Sequence, residues 1–326
     1  MDILLQDTNM LTLMTVGLQN PEILKVDYKQ IQLDFPVIHA KGLKLGIYGD
    51  VGTKTCAGFP GSEGYMQRDA QTLADWGIDM LKFDGCNADL EQFENALTPQ
   101  VATLFTHPDY GHIAATCNVF RQLTDIYDSW SSVLGMIGYF GDDPGNFSLV
   151  AGPGSWNDPD QLVIGNFGLS PDQEKVQMAM WCMMASPLLF SVDLRTIPKW
   201  SRDLLQNPRL IAINQDTLGV QAKRIINVSL SIHKEVLFYR TIQVCQCGVK
   251  AIEPVGSRAI AFMYTKDHGY PLKVAVTLYE IGLAASTGYD IAEVFSGNVL
   301  GSYKPWDVFV CYVNPTGVYL ITAKPL

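Results

Sequence analysis

From residue 42 to about residue 213, short apolar runs alternate with segments whose apolar positions recur at helical spacing. That alternation predicts a parallel sheet with crossover helices. Strands are expected at 43–48, 80–83, 112–117, 119–126, 154–162 and 187–192, and helices at 64–76, 128–140, 172–185 and 201–205. The helix at 172–185 has the clearest start: Ser170 in the N-cap position, Pro171 in the first turn and acidic residues following. Its apolar positions are almost continuous, which predicts a well-buried helix. After about residue 224 helical patterns give way to strand-like runs at 228–232, 235–239, 257–264, 272–278, 292–295 and 308–321. Those runs predict an antiparallel β domain, with Asn314-Pro315-Thr316-Gly317 as a turn between its last strands. The expected division is therefore an α/β unit over residues 1–222 and an antiparallel β unit over 223–326.

Composition narrows the function classes. Of 326 residues, 48% are apolar and 17% charged, enough for a sizeable core. A net charge of −10 argues against nucleic acid or an anionic membrane as the main partner. No apolar run is long enough to span a bilayer; the one at 181–192 is interrupted by Pro187. No signal peptide is expected at the N-terminus, because Asp2 and Asp7 occupy the part that should be basic and the apolar run at 11–16 is short. Seven cysteines and five scattered histidines show no zinc spacing, so no metal is expected. Asn146 and Asn227 each head a glycosylation triplet.

The candidate chemistry lies where strands end in charge. The run at 80–86 closes on Lys82 and Asp84, the run at 125–130 carries Asp125 and Asp128, and Trp156-Asn157-Asp158-Pro159-Asp160 adds a third acidic end. A buried strand accommodates such charges only at its end, beside a cleft, and in parallel α/β barrels the carboxyl ends of the strands face the active site. Any single Asp here reads more readily as a helix cap or turn residue, by roughly two to one, and Asp158 is a good example. Three such ends without a phosphate motif point to paired carboxylates of the glycoside-hydrolysis type. Lys82, two residues before Asp84, shares its strand face and favours its ionised form. Arg121, four residues before Asp125, is placed to bind hydroxyls or bias that carboxyl. A Schiff-base role for Lys82 is the weaker alternative, since it requires a desolvated amine and Asp84 lies beside it.

Six stretches carry a family resemblance: KGLKLGIYGDVGTKTCAGFPGS, DAQTLADWGIDMLKFDGC, DIYDSW, GPGSWNDPDQLVIGNFGLS, ASPLLFSVDLR and AINQDTLG. Residues 41–219 resemble the α-galactosidase and α-N-acetylgalactosaminidase family of lysosomal-type glycosidases, and YDIAEVFSG and VNPTGV resemble its C-terminal domain more loosely. The resemblance implies a (β/α)8 TIM-type barrel followed by an antiparallel β-sandwich, and a retaining double-displacement mechanism without a cofactor. It implies Asp84 as nucleophile and Asp125 as acid/base, with Tyr48, Lys82, Arg121 and Asp160 touching the sugar. It also implies a Cys56–Cys86 disulfide, α-galactosyl or α-N-acetylgalactosaminyl glycans as substrates, a homodimer, and a lysosomal or secreted location. Gln161 stands where the family usually has Met and is expected to line the pocket.

The chain departs from the pattern in two further places. Residues 1–35 lack the two earlier strands and the Asp-Asp pair that grips the sugar. The expected strand at 112–117 runs straight into the next with no crossover, which implies a missing segment, an incomplete barrel and an unpaired Cys117. The galactosidase reading leads, with the N-acetylgalactosaminidase as alternative and a non-catalytic glycan-binding chain as the rival of a different class.

Overall fold

A computed structural model describes residues 36, 38–88, 109–228 and 245–326. Strand β1 (Gly46–Asp50) leads through helix α1 (Met66–Asp75) to strand β2 (Met80–Asp84). The two strands pair in parallel without a bulge, from Gly46 opposite Met80 to Asp50 opposite Asp84. Helix α2 (Tyr110–Thr116) precedes β3 (Val119–Arg121), and α3 (Trp130–Asp142) precedes β4 (Trp156–Asp158). Strands β3 and β4 pair in parallel from Val119–Trp156 to Arg121–Asp158. Helices α4 (Pro171–Met183), α5 (Lys199–Leu205) and α6 (Pro208–Asn214) complete this part. Among the described residues the two parallel pairs do not close into a barrel.

Several expected elements differ. The strand expected at 112–117 is helix α2: Asp109 caps it by accepting from the His112 N–H at 3.0 Å, and Ala114 and Ala115 favour the helical state. With a helix directly before β3, there is no strand-to-strand junction at Cys117–Asn118, and that argument for a missing segment falls; Cys117 itself is a half-buried free thiol. The strand expected at 119–126 stops at Arg121, and that at 154–162 covers only Trp156–Asp158. In both cases the acidic end has left the ladder to bend around a cavity. The run at 187–192 forms no strand, only a single parallel bridge from Phe190 to Leu162. Helix α6 was not anticipated. Residues 1–35 and the strand expected at 235–239 lie outside the described residues.

The helix expected at 172–185 forms as α4, with the full capping box: Gln173 N–H donates to Ser170 Oγ, and the Gln173 side chain accepts from the Ser170 N–H. Val176, Met178, Ala179, Trp181, Cys182 and Met183 are all buried.

Residues 223–326 form β5 (Lys223–Val228), β6 (Cys245–Ile252), β7 (Ser257–Tyr264), β8 (Leu272–Thr277), β9 (Tyr289–Glu293), β10 (Val299–Tyr303), β11 (Val308–Val313) and β12 (Gly317–Pro325). Six of them make one antiparallel sheet ordered β10-β9-β12-β7-β6-β5, and β8 pairs with β11. The two sheets face each other, with the Phe262 and Phe309 rings stacked between them at 6.0 Å. Strand β7 shows why its sequence is apolar throughout. Ile260, Phe262 and Tyr264 face the second sheet, whereas Ala259, Ala261 and Met263 face α4. A strand covered on both sides has no polar face to display. Each large buried side chain here contributes about 1.5–3 kcal/mol.

Lys250 on β6 joins the two parts. Fully buried, its ammonium donates to the carbonyls of Cys182 (3.1 Å) and Ile213 (2.6 Å), in the last turns of α4 and α6. The negative ends of two helices thus converge on one cation. Burial pushes the Lys250 pKa down from 10.5 to about 8, against the pull of Cys182 and Asp216. The unfolded chain therefore binds the extra proton between those values, so stability rises with pH above 8, and below 8 the cost of burying the charge is fully present. Burial raises the Cys182 thiol from 9.0 to about 12, which acts in the opposite direction but only above pH 9. Urea unfolding is expected to show a gain of roughly 1 kcal/mol from pH 8 to pH 9, absent in Lys250→Met. An equal gain in the variant would contradict this account.

Candidate active site

The ends of β2, β3 and β4 open on one cavity of about 390 Å³. That size is suited to a small ligand. Lys82, Asp84, Arg121, Asp125, Asp158, Asp160 and Gln161 line it, together with both members of the Cys56–Cys86 disulfide. Of the catalytic and sugar-binding residues expected from the sequence, all but Tyr48 line this one cavity. Tyr48 stands just behind, with Lys82 Nζ 5.8 Å from its ring centre.

On one side is the Asp84 group. The Tyr48 hydroxyl lies between two carboxylates, 3.4 Å from Asp50 Oδ2, and its pKa is raised by burial and by the charges of Asp84 and Asp50. It therefore stays a donor. Asp50 is 1% exposed and accepts from the N–H groups of Gly52 (2.9 Å) and Cys86 (3.2 Å), which ties the loop after β1 to the loop after β2. Burial raises the Asp50 pKa, the two N–H donors oppose that, and Asp84 adds to it. The loops are packed to their limit: a Cβ on Gly52 would lie 2.1 Å from the Cys86 carbonyl oxygen.

On the other side Arg121 holds three acids. Its Nη1 is 2.9 Å from Asp125, its Nη2 2.7 Å from Asp160, and its Nε 3.9 Å from Asp158. Burial works against the guanidinium's charge, but Asp160, Asp158 and Asp125 outweigh it and hold its pKa up. The Asp158 pKa is raised by burial, against the charge of Arg121. Asp125 is the outermost member, its side chain 82% exposed, so it alone of the three is free to move towards a bound molecule.

Asp160 adopts φ +76°, a conformation rare outside glycine. Its side chain accounts for it, accepting from the N–H groups of Ile126 (2.8 Å) and Gln161 (2.7 Å) as well as from Arg121. Helix α4 fixes the same loop from behind. Trp181 Nε1 donates to the Asp160 carbonyl at 2.6 Å, Gln177 accepts from Val163 N–H, and Glu174 accepts from Gly165 N–H. That explains the buried polar residues on α4. Asp128, in the same acidic run as Asp125, does not line the cavity. It accepts from the N–H groups of Phe167 and Gly168 and pins that loop. Asn146 is exposed in a 3₁₀ turn, and Asn227 lies in β5.

The family model described as alpha galactosidase A matches residues 27–216, more than half of the chain. The chain belongs to this family. Human alpha-galactosidase A is 48% identical over 307 residues, covering 87% of this chain and 68% of that protein. Chicken alpha-N-acetylgalactosaminidase is 38% identical over 307 residues, covering 87% and 71%. Among solved structures, the Saccharomyces cerevisiae alpha-galactosidase superposes with a TM-score of 0.74, covering 91% of this chain and 83% of that one; at 19% identity the likeness is one of fold. The chain thus shares the family's α/β part and its antiparallel sandwich, and its match spans about seven-tenths of the length of these two animal relatives.

One site residue escapes the sequence reading, Asp50; Asp158 belongs to the third acidic strand end, where the sequence leaves it open between site and turn. The signal for Asp50 was available in principle: aligning the two apolar strands in parallel sets it level with Asp84.

Proposed function

We propose that this chain is a retaining exo-glycosidase that removes terminal α-linked galactose from glycolipids, glycoproteins or oligosaccharides. The observation that carries the reading is the meeting of Asp84 and Asp125 on one cavity that Lys82 and Arg121 also line, with Arg121 bonded to Asp125. Asp84 attacks the anomeric carbon as the nucleophile. Asp125 gives its proton to the leaving oxygen and then takes one from the water that releases the sugar. Arg121, Asp160, Lys82, Tyr48 and Gln161 bind the hydroxyls. The step needs no cofactor.

The same reading takes residues 1–222 as a (β/α) barrel lacking part of its wall and 223–326 as the sandwich. A homodimer on the lysosomal or secretory route, glycosylated at Asn146 and Asn227, belongs to it through the family resemblance, and the exposure of Asn146 suits that role.

The second reading, an α-N-acetylgalactosaminidase, is favoured by the 38% identity to the chicken enzyme of that name. The two sugars differ at C2, where one offers a hydroxyl and the other a bulkier acetamido group. Hydrolysis of paired nitrophenyl α-galactoside and α-N-acetylgalactosaminide by the purified chain at acidic pH decides between them. The galactoside is expected to turn over faster. The reverse ratio would establish the second reading, and binding of both without turnover would leave a glycan-binding protein.

A further inference from the structure

Asp50, Asp84, Cys56 and Cys86 bring one carboxylate oxygen or sulfur each to within 4.8 Å of one another. While the two sulfurs are bonded to each other they are poor ligands, and the quartet is simply a floor of the cavity that Cys56, Cys86 and Asp84 line, with Asp50 buried behind them. We propose that reduction of the Cys56–Cys86 disulfide turns this floor into a tetrahedral site of two sulfurs and two oxygens for a thiophilic divalent cation such as Zn²⁺.

The geometry is close to what that ion requires. Zinc bonds of about 2.0–2.3 Å set neighbouring ligand atoms about 3.3–3.8 Å apart. The quartet must therefore contract by about 1 Å at its widest, while the sulfurs part by roughly 1.7 Å. Two thiolates with two carboxylates are a donor set suited to Zn²⁺ rather than to Mg²⁺ or Ca²⁺. Asp50 is already oriented by the N–H groups of Gly52 and Cys86, the kind of support that outer partners give a metal ligand. Burial disfavours its negative charge, and a cation would relieve that. Entry is open on both counts: Cys56 is exposed to an attacking reductant, and Cys56, Cys86 and Asp84 all line the cavity.

The chemistry balances. A phosphine reductant takes oxygen from water and becomes the phosphine oxide, while the water's two protons go to the two released thiols. Zn²⁺ then displaces those protons and binds the thiolates. Loss of hydrolysis would follow because Asp84 would be held by the metal; that consequence rests on the proposed nucleophile, whereas metal binding does not.

The test uses the whole chain, reduced with a phosphine, freed of reductant and titrated with Zn²⁺ against a chromogenic chelator, with Co²⁺ as a spectroscopic probe. Reduced protein is expected to bind one Zn²⁺ that oxidised protein does not, and Co²⁺ to give thiolate charge-transfer absorption. Asp50→Asn is expected to weaken binding by about tenfold to a hundredfold. Zinc at one equivalent is expected to suppress hydrolysis of the nitrophenyl galactoside in the reduced form alone. The proposal is overturned if folded, reduced protein with two additional titratable thiols binds no zinc. It is equally overturned if binding persists in the Cys56→Ser/Cys86→Ser variant, or if circular dichroism shows that reduction unfolds the chain. Zinc binding with unimpaired hydrolysis, in a chain whose Asp84→Asn variant is inactive, would remove Asp84 from the ligand set and overturn the four-ligand site. An oxidised chain that never hydrolyses the galactoside would count against the glycosidase reading alone, the zinc titration still deciding the site.

Discussion

Asp84→Asn is expected to lower turnover of the nitrophenyl α-galactoside by about 10⁴-fold or more while leaving galactose binding within about threefold. The substitution keeps the size and hydrogen-bonding capacity of the side chain but removes the electron pair that attacks the anomeric carbon. Its surroundings are built around a negative charge, with Lys82 on the same strand and the Tyr48 hydroxyl held as a donor between Asp84 and Asp50. A smaller variant gives a stereochemical check. In Asp84→Gly the space vacated by the carboxylate admits azide, which would attack from that face and leave a galactosyl azide of inverted configuration. In Asp125→Ala the covalent intermediate still forms, so azide would give the retained product. Product analysis by NMR separates the two roles, and identical products from both variants would refute the assignment.

Arg121→Met is expected to be the most damaging substitution to the fold at the site. Asp158 and Asp160 are nearly buried, and Arg121 is the cation they share. Removing one partner from such a group leaves uncompensated buried charge and costs about 3–5 kcal/mol at neutral pH. The sign of the pH dependence follows. Burial already raises the Asp158 pKa, with Arg121 the chief opposing influence, so the variant raises it further. A carboxyl whose folded pKa lies above its unfolded value binds more protons when folded, so the variant regains stability as pH falls. Urea unfolding near neutral pH and at about pH 5 should show the deficit shrinking on acidification. A deficit that grew towards acid would mean that the carboxylates, rather than the lost cation, support the fold.

How much of this was legible depended on whether the deciding contact was local. Strand β7 was expected at 257–264 and spans Ser257–Tyr264, because burial on both faces writes an uninterrupted apolar run into the chain. Helix α4 announced itself through Ser170, Pro171 and the acids Asp172 and Glu174, all within one turn. The turn at 314–317 was equally plain, and it separates β11 from β12. Strand β6 was missed although Cys247, Val249 and Ala251 alternate with Gln246, Gly248 and Lys250 as a strand should. Lys250 is tolerated inside only because two helix ends, far off in sequence, supply its acceptors. Strand β10 was hidden by Gly301 and a shift in register beside it. The strand expected at 112–117 failed because an apolar run of that length does not distinguish strand from helix, and the cap at Asp109 lay outside the run considered. At the site, acids at visible strand ends were found. Asp50 was not, since its importance arises only from pairing with a strand 30 residues further on.

The unbroken pairing of β1 with β2 makes the position of Asp84 relative to Asp50 a matter of counting residues. An insertion of one residue in the body of either strand would turn every side chain beyond it to the opposite face. An insertion of two would restore the faces but carry one acid about 6.6 Å past the other, beyond the reach of the Tyr48 hydroxyl between them. Ile47 and Leu81, which do not line the cavity, can therefore exchange for other apolar residues with little consequence there, yet neither strand can change length. Variation that preserves this site should appear as substitution at such positions, with insertions and deletions kept out of both strands.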